Sequence, residues 1–215
     1  MTDTLFTRID RTHLAAEWQP AWNMLDRLTG DATFVEVFAQ APALLRFVMQ
    51  EFYLKVFFGG QVEQRYKQLA RLTLSLIHGC RTCNRQNIPG ALEAGFSQEQ
   101  IDALEAGHLE PFTAAERAVI RYARQVALTN MEGQVDEPLF QALREHFSEA
   151  QILELGVAMA VIAGMAKLSF VLDLVERESY CPFVSGSRLS APGPENSPGS
   201  HLASPHPSSG VPHPP

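Results

Sequence analysis

Charge is sparse in this sequence: only 19% of its 215 residues are Asp, Glu, Lys or Arg, and the balance is acidic, at −7. Without a basic stripe the chain offers nothing that a phosphate backbone needs, which argues against nucleic acid as a partner. Cysteine is scarcer still. Three cysteines, one close pair and one distant residue, do not make the framework of a secreted, disulfide-stapled domain. The opening, Met1-Thr2-Asp3-Thr4-Leu5-Phe6, lacks the basic and then apolar regions of a secretory signal. The longest apolar run, Leu155 to Ala166, stops at Lys167, well short of the roughly 20 residues that span a bilayer. These absences predict a soluble, cytoplasmic protein with no membrane partner. Period-two alternation and internal repeats are missing as well, so neither a sheet nor a repeat array is expected.

What is present is helical. Hydrophobic residues make up 46% of the chain, enough for one sizeable core. Leu14, Trp18, Trp22, Leu25 and Leu28 recur at helical spacing over 10–28, with Pro20 predicting a break between two short pieces. A second apolar stretch, Ala43 to Phe58, follows Pro42 and ends at Gly59-Gly60. It is apolar all round and should be covered on several sides or by another subunit. Capping boxes at Ser97–Gln100, Thr113–Glu116 and Ser148–Gln151 announce three further helices, the last over 150–177. The fold class read from these signals is all-α. From about Gly186 the composition changes, with 8 of the 14 prolines in the final 29 residues beside Ser, Gly, His201, His206 and His213. The division expected is one helical domain over 1–185 and a disordered Pro/Ser/Gly/His-rich tail over 186–215.

The chemically loaded stretch is Gly79-Cys80-Arg81-Thr82-Cys83. Val62, Tyr66, Leu69, Leu72, Thr73, Leu76 and Ile77 define one face of a helix over 63–78, which Gly79 breaks. A new helix beginning at Cys80 places both sulfurs in its first turn, near unpaired N–H groups and the positive end of the dipole. That setting favours thiolate over thiol, and a vicinal thiol can then resolve an oxidised partner as a disulfide. Pro89-Gly90 should leave this helix short or kinked. Two buried, inert thiols are the plainer reading. A zinc site would need two ligands more, for which only His78 and distant Cys181 offer themselves.

The order Phe57-Phe58-Gly59-Gly60, Gln68-Leu69-Ala70-Arg71-Leu72, Gly79-Cys80-x-x-Cys83, Ala94-Gly95-Phe96-Ser97 and Phe112-Thr113-Ala114-Ala115-Glu116 resembles the AhpD-like, carboxymuconolactone decarboxylase superfamily, on its peroxidase-related C-x-x-C branch. The resemblance runs from about Leu44 to about Leu174. It implies an all-helical AhpD-like domain, a homo-oligomer, and cofactor-free, metal-free reduction of a peroxide or disulfide substrate at the expense of a dithiol electron donor. It further implies Cys83 as the more exposed, attacking thiol and Cys80 as its partner. The family's glutamate and histidine relay positions hold Gln68 and Asn87 here, and neither side chain shuttles a proton. Along one straight helix Gln68 would stand ~18 Å from Cys80, so it can approach only if the chain folds back at His78-Gly79. His78 offers a replacement base. Two functions follow: a cysteine-based oxidoreductase weakened at its relay, or a catalytically degenerate redox-sensing or oligomeric binding protein of the same fold.

Overall fold

A computed structural model describes residues 4–183. They form an all-α fold with no strand among them. Two single 3₁₀ turns, Arg11–His13 and Ala16–Trp18, precede helix α1, Gln19–Thr29. Pro20 stands in the first turn of α1, where its missing N–H has no intrahelical partner to lose. The expected break therefore falls just before it. Trp18 and Leu25 join Val35, Leu45 and Leu174 in an N-terminal core. Val35 belongs to α2, Thr33–Phe38, a helix too short to show a period in the sequence.

Helix α3, Pro42–Arg46, passes directly into a π-helical stretch, Phe47–Phe57. Val48, Phe52 and Phe57 are buried, and Phe52 and Phe57 pack with Ala158 and Ile162. Phe47, Leu54 and Phe58 stay exposed, so within one chain this stretch is covered on one side only.

The central element is α4, Gln64–His78, which packs against α5, Arg81–Glu93, as well as α6, Gln98–Glu105, α7, Ala114–Val126, and α9, Glu149–Val171. Its Leu69, Leu72 and Leu74 meet Val119, Ile120, Leu143 and Leu155 in the main core. Both arms of all three capping boxes form, at α6, α7 and α9. Helix α8, Glu137–Arg144, has its own signal in the Asp136 cap and a proline in its first turn.

Two boundaries differ from those expected. Helix α5 runs through Pro89 to Glu93. Its packing on α4, with Ala91 fully buried, outweighs a local cost of about 3 kcal/mol. Helix α9 stops at Val171 rather than 177 because Asp173 adopts a left-handed φ of 56°. The Leu174 N–H then caps the Ser169 carbonyl at 2.9 Å, and the chain turns back.

By length and composition α9 is apolar enough to cross a membrane. Ile152, Leu155, Ala158, Met159, Ala163 and Phe170 are nonetheless buried against the domain, while Leu153, Val157 and Val171 are exposed. It is a core helix with a second apolar face. The expected tail, 186–215, lies outside the described residues.

Candidate redox site

Gly79 joins α4 to α5 in a left-handed turn, φ 61°. A Cβ there would lie 2.6 Å from Cys181 Cα, so both conformation and space require glycine. The turn folds α5 back along α4 and makes Cys80 the N-cap of α5. Cys80 and Cys83 are joined as a disulfide, S–S 2.02 Å. The Cys83 N–H donates to Cys80 Sγ at 3.2 Å. Cys80 is fully buried and Cys83 partly exposed.

The first-turn N–H groups of α5 are not left open. Residues 172–183 cross over the helix start as a strap. The Glu176 carbonyl accepts from Arg81 N–H at 2.9 Å and Thr82 N–H at 3.4 Å. Thr82 Oγ1 in return accepts from Glu176 N–H at 2.9 Å, and Glu178 N–H donates to the Gly79 carbonyl at 2.8 Å. Ion pairs Arg81–Glu178 at 3.1 Å and Arg85–Glu176 at 3.4 Å flank these bonds. The strap brings Val175, Cys181 and Phe183 into an apolar cluster with Cys80, Cys83 and Phe170. Nothing local in the sequence signals the strap, since its bonds join residues almost a hundred positions apart.

His78 is buried beside the site. Its Nε2 accepts the Leu128 N–H at 3.0 Å, and its ring meets Phe183 edge-on. Burial lowers its pKa to about 4, which keeps the ring neutral with that nitrogen occupied. Cys181 is a buried free thiol whose Sγ donates to the His78 carbonyl at 3.1 Å. Among the described residues no group of three His, Cys, Asp or Glu could hold a metal ion.

The fold-back brings Gln68 and Asn87 to the same α4–α5 interface. Asn87 is buried one turn beyond Cys83, about 6 Å along α5, and its Nδ2 donates to the Arg71 carbonyl at 3.4 Å. Gln68, also buried, sits opposite Gly90, and its Oε1 has no hydrogen-bond partner. The Arg71 guanidinium lies over Phe57, 5.1 Å from the ring centroid. This arginine is the polar residue that motif reading passed over.

The sequence of the central segment, residues 42–125, matches the model of the carboxymuconolactone decarboxylase family. The match spans α3 to α7, including both cysteines and the relay positions. Over that segment the chain is similar to the carboxymuconolactone decarboxylase family. No curated protein matches it. Among solved structures it is similar to a protein of unknown function from Agrobacterium tumefaciens, for which an antioxidant defence role as AhpD has been suggested. The identity is 23%, the TM-score 0.55, and the alignment covers 63% of this chain and 91% of that one. It is also similar to the debrominase Bmp8, solved as a cysteine-to-alanine variant in complex with 2,3,4-tribromopyrrole. There the identity is 17%, the TM-score 0.64, and the coverage 82% of this chain and 93% of that one. At these identities the likeness shows a shared fold; on it the present chain carries two cysteines and has no titratable side chain at positions 68 and 87.

Proposed function

We propose that this protein is a cysteine-based oxidoreductase of the carboxymuconolactone decarboxylase superfamily, whose working group is the Cys80–Cys83 pair. The observation that carries the reading is the C-x-x-C disulfide at the N-terminus of α5, with Cys83 partly exposed and Cys80 fully buried. In the reduced protein, the Cys83 thiolate attacks a peroxide oxygen. The O–O bond breaks, an alcohol or water leaves with a proton, and Cys83 becomes a sulfenic acid. The Cys80 sulfur then attacks Cys83, water leaves, and the disulfide forms with both electrons accounted for.

An external dithiol closes the cycle by attacking Cys83, the sulfur it can reach, and its second thiol then displaces Cys83 from the mixed disulfide, leaving the donor oxidised. Cys80 departs as a thiolate that receives the Cys83 N–H and lies at the positive end of α5. In this reading the N-cap sulfur is the leaving group and the partly exposed sulfur the one attacked. A disulfide substrate would use the same two steps in reverse.

Proton transfer is the weak point. Gln68 and Asn87 stand in the interface but do not titrate, and the Nε2 of His78 is engaged by Leu128. The reading is therefore a competent but slow oxidoreductase. Steady-state consumption of tert-butyl hydroperoxide by the purified chain, with dithiothreitol as donor, tests it. Turnover that disappears in Cys83→Ser supports the proposal. Absence of any turnover, with reduced thiols that survive peroxide, favours the degenerate binding or sensing protein instead. Bromopyrroles belong in the same assay, because removal of bromine as bromide consumes the same two electrons from a dithiol.

A further inference from the structure

Free N–H groups at a helix start are what make a cysteine placed there acidic. At α5 they are already taken. The N-cap sulfur of Cys80 receives one of them, from Cys83 at 3.2 Å. The N–H groups of Arg81 and Thr82 donate instead to the Glu176 carbonyl, at 2.9 Å and 3.4 Å. The second of these is a donor that an N-cap side chain would otherwise accept. The strap therefore competes with the cysteines for the same donors.

The strap also makes the surroundings poor for an anion. Its Val175 and Cys181 pack with Phe170 on Cys80, which is fully buried, so a negative sulfur there loses its water. Two strap carboxylates stand at the same helix start, Glu178 on Arg81 at 3.1 Å and Glu176 on Arg85 at 3.4 Å. A thiolate would bring a further negative charge beside them. The attachment itself is slight. Cys80 and Arg177 form an isolated antiparallel bridge, supported by Thr82 Oγ1, which accepts the Glu176 N–H at 2.9 Å, and by Cys181 Sγ, which donates to the His78 carbonyl at 3.1 Å. A contact set this small can open locally without unfolding the domain.

We propose that the strap, residues 172–183, is a redox-linked latch that docks on the Cys80–Cys83 disulfide and loosens when the pair is reduced. The inference rests on the dithiol–disulfide cycle proposed above. In that cycle a dithiol donor supplies two electrons and two protons and leaves as its own disulfide. The Cys80–Cys83 bond breaks, and the pair passes through a thiolate before both sulfurs are protonated. The disulfide carries no charge and tolerates the docked strap. The thiolate is stabilised by the Arg81 and Thr82 N–H groups and by water, which the docked strap withholds. Linkage makes the relation reciprocal: the docked strap favours disulfide over dithiol by the same factor by which reduction weakens docking.

Hydrogen–deuterium exchange of the full-length protein, oxidised and dithiothreitol-reduced, reads the latch at about pH 8.5, where an ordinary thiol is half ionised. Reduction is expected to speed exchange over 172–183 and at Arg81 and Thr82 by about tenfold, and to leave α7, Ala114–Val126, unchanged. The double variant Cys80→Ser with Cys83→Ser forms neither disulfide nor thiolate. Its strap should exchange as slowly as that of the oxidised wild type, with or without dithiothreitol. Equal exchange in the two redox states of the wild type overturns the proposal. So does acceleration that spreads equally to α7, which is general destabilisation. A serine variant whose strap is as fast as in the reduced wild type overturns it too, because loss of the cross-link alone then explains the loosening. The wild-type comparison decides by itself if the variant does not fold. Exchange is read without peroxide, so an inactive protein with a redox-linked strap is told apart from an active one without it.

Discussion

Restoring titratable groups at the α4–α5 interface should accelerate the chemistry. Asn87 lies one turn beyond Cys83, and Gln68 lies opposite Gly90 on the facing helix, so Asn87→His with Gln68→Glu places an imidazole one turn from Cys83 and a carboxylate farther along the same interface. General acid–base assistance is worth about 10²–10⁴ in rate. The gain here should fall at the low end, because the carboxylate introduced at position 68 would arrive beside Arg71. At roughly 5 Å and an effective dielectric of 20, that attraction is about 3 kcal/mol. It holds the new carboxylate ionised and makes it a weaker proton acceptor. Desolvation offsets much of the same attraction, and an imidazole in the buried space of Asn87 costs about 1–3 kcal/mol through overpacking. The double variant should therefore fold with stability within about 3 kcal/mol of wild type. Its peroxide turnover should be at least about tenfold faster. Steady-state assays with dithiothreitol, with circular dichroism as the control, measure both. A natively folded double variant with no gain, or a wild type already turning over rapidly, would refute the relay argument and return attention to His78.

Other outcomes follow from the same contacts. Thr82→Val removes the acceptor for Glu176 N–H at a cost of about 1–3 kcal/mol, loosening the strap, so Cys80 in the reduced variant should be alkylated faster than in wild type; equal rates would show that the strap does not control access. The folded-state pKa of His78 is about 4, below the unfolded value near 6.5, so the unfolded chain binds the proton first. Its contribution is complete above pH 6.5 and declines by about 3 kcal/mol as pH falls to 4; urea titrations of wild type and His78→Gln should show that slope only in wild type. The exposed apolar stripe of Leu153, Val157 and Val171 on α9, with Phe47, Leu54 and Phe58, predicts a homo-oligomer by light scattering at micromolar concentration, and Val157→Glu should lower the measured mass. A monomeric wild type contradicts this.

The helices that capping chemistry announces were legible in the sequence, because a box of Ser or Thr with Glu or Gln three residues on is a local signal with a local cause. So was the turn at Gly79, and with it a helix start at the cysteines, although Cys80 is the N-cap and only Cys83 lies in the first turn. Three things were not. Pro89 reads as a break, yet tertiary packing of Ala91 and Gly90 on α4 carries α5 through it. Asp173 ends α9 in a left-handed conformation that its residue type permits but does not announce. The strap and the Arg71 environment exist only through contacts between distant segments, Thr82 with Glu176 and Arg71 with Tyr53 and Phe57. Periodicity along one helix cannot show what another element places against it. Gln68 and Asn87 fall between these cases. Their positions were implied by the family resemblance, but their meeting at the α4–α5 interface needed the fold-back at Gly79.

The central claim is that Cys80 and Cys83 cycle between dithiol and disulfide. Its most direct test is to reduce the protein fully, add one equivalent of tert-butyl hydroperoxide, and count free thiols with peptide mapping by mass spectrometry. The account predicts loss of two thiols per chain, both in a Cys80–Cys83 peptide, with Cys181 still free and no such bridge in Cys83→Ser. Thiols that persist, or a bridge that instead joins Cys181 to either partner, would contradict it.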